Sequence, residues 1–139
     1  FIKLGQETLM RLKYAMFPSI AAVSGLALGG GMETILASSF VVAHIETYAG
    51  LVENKIGLVP AWGGCKELMT RIKDKQFAFA LIASSYTTKS AEDLIKFGLD
   101  NSRIKIIMNR KSLLAEAKNQ ALKMIRNYSA PKSNLIDLE

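Results

Sequence analysis

The sequence predicts an α/β domain built on a parallel sheet. Two observations carry that expectation. Amphipathic, helix-like stretches alternate with short apolar runs, and glycine or proline marks most of the changes between them. A strand covered on both faces by crossover helices has this continuous apolar character, where a half-exposed strand would alternate.

From the start of the chain, Ile2, Leu4, Leu9, Leu12 and Met16 recur at near-helical spacing with Lys3, Gln6, Glu7, Arg11 and Lys13 between them, which predicts an amphipathic helix closed by Pro18. Ser19–Val23, bounded by proline and glycine, predicts a buried strand. Glycines 25, 29, 30 and 31 turn the chain, Met32–Ser38 reads as a helix, and Phe40–Ala43 reads as a second short buried strand. His44–Gly64 is irregular and glycine-punctuated, the kind of segment in which a site is expected.

Gly64–Lys73 resumes helical spacing, and Phe77–Ser84 predicts an apolar helix. In "SAEDLIKFG", Ser90 reads as an N-cap with Asp93 three residues on, and Gly98 as the stop. Arg103–Met108 predicts a short strand or sheet edge. Asn109 then caps a last helix with Leu113, Ala117, Ala121, Met124, Ile125 and Tyr128 on one face, ending before Pro131. No internal repeat or low-complexity linker divides the chain. Residues 1–139 therefore read as a single domain, with a core and glycine loop over 1–98 and a C-terminal strand and helical tail over 99–139.

Half of the 139 residues are apolar, which suits one modest core. The formal charge is +6, and the excess gathers after residue 65 in "CKELMTRIKDK", "RIKIIMNRKS" and "KMIRNYSAPK", read as solvated helix faces. Aromatic residues do not interleave with these cations as a platform for single-stranded nucleic acid requires, so no nucleic-acid partner is expected. Cys65 is the only cysteine; it excludes an internal disulfide and fits a reducing compartment, with a cytoplasmic location expected. The uncharged run Tyr14–Met32 has the length of a membrane span, but Pro18, Ser19, Ser24 and the glycines interrupt any continuous helix and Glu33 follows directly. No membrane partner is expected. The chain opens at Phe1 inside a helical pattern and closes on "NLIDLE", which reads as a piece of a longer protein.

Several chemistries are excluded by residue type. One histidine, His44, and one cysteine build neither a zinc site nor a Cys–His pair, so no metal is expected. Neither glycine cluster shows G-x-G-x-x-G spacing or a following Gly-Lys-Ser/Thr, so no nucleotide cofactor is expected. Ser24 lacks the paired glycines of a nucleophile elbow and a histidine base. Glycines and carboxylates remain. In "SGLALGGGMETILASSF" a strand runs through glycines into a helix, presenting unpaired N–H groups at the helix's positive end, where a developing oxyanion is stabilised. Glu33 stands in the first turn of that helix, where an acidic residue also complements the dipole without doing any chemistry. Glu53, in "YAGLVENKIGLVPAWGG", taken alone is an ordinary loop carboxylate. Two carboxylates flanking an oxyanion site, however, can divide the work of moving a proton and a water.

"FPSIAAVSGLALGGGME" followed by "ETYAGLVENKIGLVPAWGGCKEL" resembles the enoyl-CoA hydratase/isomerase family, the crotonases, across Pro18–Leu68, and "TTKSAEDLIKFGL" looks like that family's next helix. The stretch "ETYAGLVE" looks most like the hydratase portion of long bifunctional 3-hydroxyacyl-CoA dehydrogenases. The resemblance implies a crotonase-like α/β fold of spiral ββα type, of which this chain holds the C-terminal part. It implies an enoyl-CoA hydratase adding water across the C2=C3 bond of a trans-2-enoyl-CoA in fatty-acid β-oxidation, with the coenzyme A thioester as substrate and no bound cofactor.

By the same resemblance the N–H of Gly30 is an oxyanion donor, Glu33 activates the water, and Glu53 exchanges a proton with C2. Leu26, Leu28, Gly29, Val52 and Ile56 match positions lining the acyl and pantetheine channel, and Ala61 stands where many members have a glycine whose N–H helps hold the water. Ser39 replaces a common aspartate. An isomerase of this family usually works with one glutamate at the Glu53 position, so Glu33 favours hydration; the alternatives are an enoyl-CoA isomerase and a non-catalytic crotonase piece that binds or assembles. The family's second oxyanion N–H comes from a loop upstream of the helix that opens this chain. Lys118, Lys123 and Arg126 are candidates for the CoA phosphates but are read as a solvated helix face. Members commonly form trimers or dimers of trimers, so a homo-oligomer, or a companion chain supplying further strands, is the expected assembly.

Overall fold

The structure, a computed structural model, describes residues 1–132. Helices α1 (Ile2–Lys13), α2 (Gly30–Ala37), α3 (Gly64–Arg71), α4 (Lys75–Ala83) and α5 (Leu113–Ile125) accompany strands β1 (Ile20–Leu28), β2 (Phe40–Gly50) and β3 (Ile104–Ile107). Short 3-10 turns lie at Glu53–Ile56, Ala91–Phe97 and Arg110–Ser112. The strands form one parallel sheet in the order β1-β2-β3. Parallel neighbours need crossovers, which α2 supplies between β1 and β2, and α3, α4 and the Ala91–Phe97 turn supply between β2 and β3.

Consecutive residues Val41 and Val42 are both wholly buried, so β2 is covered on its two faces. Val41 joins a core with Met32, Leu36, Leu51, Leu68 and Phe97, whereas Val42 joins Phe40, Ile107, Leu113 and Ala117 beneath α5. This explains the unbroken apolar run in the sequence.

Both leading strands exceed their sequence-predicted lengths: β1 continues past Val23 to Leu28, and β2 past Ala43 to Gly50. The pairing runs from Ile20↔Phe40 to Val23↔Ala43 and resumes at Gly25↔Thr47, leaving extra residues in β2 at a bulge. Thr47 pins that bulge, its hydroxyl donating to the carbonyls of His44 at 2.6 Å and Val23 at 3.3 Å. His44, which the sequence places just past the end of the second strand, instead sits buried within β2 at the bulge, with Nε2 3.1 Å from the Met108 carbonyl.

α1 buries only Leu9 among its large apolar residues, while Ile2, Leu4 and the following Met16 stay exposed. Its seat is made instead at Gly5, where an added Cβ would lie 2.2 Å from the Trp62 indole nitrogen. Ser90 makes no side-chain cap; the Asp93 carboxylate accepts the Lys89 N–H at 2.9 Å and the Tyr86 hydroxyl at 3.1 Å. Gly98, left-handed at φ 74°, does end that turn. Asn109 accepts the Lys111 N–H at 3.0 Å at the 3-10 turn leading into α5, whose Leu113 and Ala117 are buried while Ile125 is exposed.

Candidate active site

The last pair of the β1–β2 ladder, Leu28↔Gly50, delivers the glycine corner. Gly29 donates its N–H to the Gly50 carbonyl at 2.9 Å and turns with φ 57° and ψ −122°, a conformation that suits glycine. Its carbonyl accepts the Glu33 N–H at 3.0 Å, the first bond of α2. The N–H groups of Gly30, Gly31 and Met32 therefore have no acceptor within the helix, and the first two carry no side chain to screen them.

Glu53 reaches the same corner from the turn that follows β2. A Cβ on Gly29 would lie 3.2 Å from Glu53 Oε1, so both the backbone angle and the space require glycine there. Glu53 Oε2 is buried and has no hydrogen-bond partner among the described residues. A buried polar atom left unpaired calls for an explanation.

Glu33 is 3% exposed. Its Oε1 accepts the N–H groups of Trp62 at 2.9 Å and Gly64 at 2.8 Å, and Gly63, with φ 120°, bends the chain so that both point at one oxygen. Gly64 is packed tightly: an added Cβ would fall 2.8 Å from Leu51 Cδ2 and 3.0 Å from Glu33 Oε1. Burial pushes the Glu33 carboxyl above its ordinary pKa and the negative charge of Glu53 adds to the rise, while the N–H bonds from Gly64, Trp62 and Gly63 pull it back. No cation among the described residues pairs with it.

Beside Glu33, between α1, α2 and the loop leading into α3, lies a cavity of about 330 Å³ whose walls include Leu9, Met10, Ala61, Trp62 and Cys65. Burial raises the Cys65 thiol pKa and the charges of Glu33 and Glu53 raise it further, so the sulfur is held as a neutral thiol, directed at the Pro60 carbonyl 3.5 Å away. It is not an activated nucleophile.

The structure thus gathers Gly29, Gly30, Glu33 and Glu53 at one corner. Ala61 lines the cavity next to Glu33, its carbonyl accepting from Gln6 Nε2 at 2.7 Å. Val52 is half-buried next to Glu53, whereas Leu26 and Ile56 are each 75% exposed and Leu28 is 38% exposed. Trp62, Gly63 and Gly64, which fasten Glu33, are singled out by nothing in the sequence beyond the doubled glycine after a tryptophan. No group of three or more potential metal-ligating residues occurs among the described residues, and no helix among them is long and apolar enough to cross a membrane.

A family model described as enoyl-CoA hydratase/isomerase matches residues 2–135. Over 142 aligned residues the chain is 37% identical to a Rickettsia felis protein named as a fatty acid oxidation complex trifunctional enzyme, covering 96% of this chain and 20% of that protein. It is also 37% identical over 124 residues to a Bacillus subtilis protein named as a 3-hydroxyacyl-CoA dehydrogenase, covering 84% of this chain and 16% of that one. The crystal structure of an enoyl-CoA hydratase from Bacillus anthracis matches with a TM-score of 0.74 at 29% identity, over 88% of this chain and 45% of that chain. The chain spans no more than about a fifth of the length of these curated relatives and less than half of the solved hydratase.

Proposed function

Because the chain belongs to the enoyl-CoA hydratase/isomerase family and carries part of its crotonase-type α/β fold, we propose that the glycine corner hydrates a trans-2-enoyl-CoA. The carrying observation is the pairing of two glutamates there: Glu33, fastened by amides without a counter-charge, and Glu53, with a buried oxygen left unpaired.

The thioester carbonyl oxygen is taken to accept the Gly30 N–H at the start of α2, which draws electron density from C3 and stabilises the enolate. A water held by Ala61 N–H and the two carboxylates adds its oxygen to C3 while Glu33 takes up the released proton. The two carboxyls enter the cycle sharing one proton, carried by Glu53, which gives it to C2 and is left ionised; exchange through the next water moves the proton on Glu33 back to Glu53. The raised pKa of Glu33 suits a group that must both take and release a proton. The free edge of β1, beside exposed Leu26, suits further strands from a longer chain, another copy or a companion. An isomerase, moving a proton between carbons with one carboxylate, would have no use for Glu33.

The test is hydration of crotonyl-CoA, followed as loss of the conjugated thioester absorbance. Glu33→Gln and Glu53→Gln are each expected to lower kcat by about 10²–10⁴-fold. Indifference to both substitutions would overturn the assignment. Loss of 3-enoyl isomerisation with Glu53→Gln alone, and no hydration by the parent protein, would favour the isomerase.

A further inference from the structure

Trp62 touches the site twice, and only one of those contacts is made by its backbone. Its N–H fastens Glu33. Its indole lies across the start of α2 and the side of α1: a Cβ on Gly30 would come 2.8 Å from its Cζ3, and one on Gly5 2.2 Å from its Nε1. The Phe1 ring tilts against it with centroids 5.6 Å apart. The indole therefore sits at the residue whose N–H is assigned to the thioester oxygen.

Trp62 also lines two spaces. One is the cavity of about 330 Å³ beside Glu33; the other, of about 290 Å³, is an open groove walled by Phe1, Leu4, Gly5, Thr8, Leu9 and Thr34, of which Phe1 and Leu4 are 95% and 66% exposed. The first cavity also reaches Lys13 and Glu67, an ion pair whose side chains are 22% and 10% exposed. An alkyl tail pushed against that pair would strip water from charged groups without replacing it. The groove has no charged side chain in its wall.

Resting on the acyl-CoA reading above, we infer that the Trp62 indole sets the acyl length this site accepts. It confines the tail to the short cavity beside Glu33 and keeps it out of the apolar groove beyond. Shrinking the ring joins the two spaces and leaves the backbone N–H on Glu33 in place, so chain-length preference separates from the geometry of the carboxylates.

The measurement is calorimetric binding of butyryl-CoA, decanoyl-CoA and free coenzyme A, which needs no turnover. The parent protein is expected to bind butyryl-CoA at least as tightly as decanoyl-CoA. Trp62→Ala should raise the decanoyl-to-butyryl affinity ratio by about tenfold or more, the effect of one or two methylenes gaining a pocket. Trp62→Leu and Trp62→Phe, which keep apolar bulk, should give smaller rises in that order and preserve the test if the alanine variant does not fold. A ratio that stays constant from Trp through Phe to Leu, with butyryl-CoA still bound, would overturn the inference and leave the acyl-CoA reading standing. So would a parent protein that already prefers decanoyl-CoA. Failure of the folded parent to bind either acyl-CoA would overturn the underlying reading and this inference with it.

Discussion

Glu33 and Glu67 are two glutamates of similar burial, 3% and 8% exposed, on successive helices α2 and α3, and both line the cavity beside the glycine corner. Their company differs. Glu67 is gripped by Lys13 from α1 and by Arg71, whose Nη2 lies 3.1 Å from Oε2. Glu33 has only amide N–H groups and the repulsion of Glu53. Cations make the first an anchor between helices, whereas burial without a counter-charge makes the second a group whose proton can move. Depth of burial alone therefore does not separate a charge-paired carboxylate from one whose charge is left unbalanced; the sign of its neighbours does.

Removing the anchor is the strongest way to break that contrast. Glu67→Ala strands Arg71, whose side chain is 7% exposed and whose pKa burial and the charge of Arg103 already lower, and should cost about 3–5 kcal/mol in urea unfolding. A loss within experimental error would mean that Glu67 anchors nothing. Gly64→Ala attacks the other carboxylate sterically, between Leu51 and Glu33, and is expected to cost about 1–3 kcal/mol while lowering hydration more than stability alone explains. Unchanged hydration in the folded variant would show that the Gly64 N–H bond to Glu33 is dispensable.

Glu33→Gln should act in the opposite direction on stability. With its folded pKa raised, the contribution of Glu33 is fully present below the ordinary glutamate value of about 4.3 and is lost as pH rises through the raised value. The glutamine variant escapes that loss, so its unfolding midpoint should exceed that of the parent at pH 8 and the two should converge near pH 4. A variant less stable at pH 8 would mean that the amide bonds outweigh the burial of the charge. The smallest effect is expected at the exposed pair Lys3–Glu7, 3.9 Å apart one turn along α1. Lys3→Ala should shift stability by no more than about 0.5 kcal/mol.

The glycine corner and the two glutamates placed at it were legible in the sequence because residue type marks them: glycine where a side chain cannot fit, and carboxyl groups set among apolar residues. The strap that holds Glu33 was not legible, since a backbone N–H has no side-chain signature and Trp62 looks like any core aromatic. Strand lengths were misread for a related reason. Gly25 and the stretch His44–Glu46 break the apolar run, and only the pairing across the sheet reveals that both strands continue beyond them. The seat of α1 on Trp62 is made at Gly5, and an absent side chain leaves no mark in a hydrophobic pattern. At Ser90 the expected cap loses to Asp93, which bonds the preceding turn instead.

The interrupted register of β1 against β2 divides the sheet into two lengths with separate tasks. Ile20–Val23 against Phe40–Ala43 belongs to the core, and Gly25–Leu28 against Thr47–Gly50 carries the corner. Thr47 opens the second length and is tied by its hydroxyl to Val23, the end of the first, and to His44 in the bulge, so it works as a rivet that transmits the position of the core to the corner at Gly29.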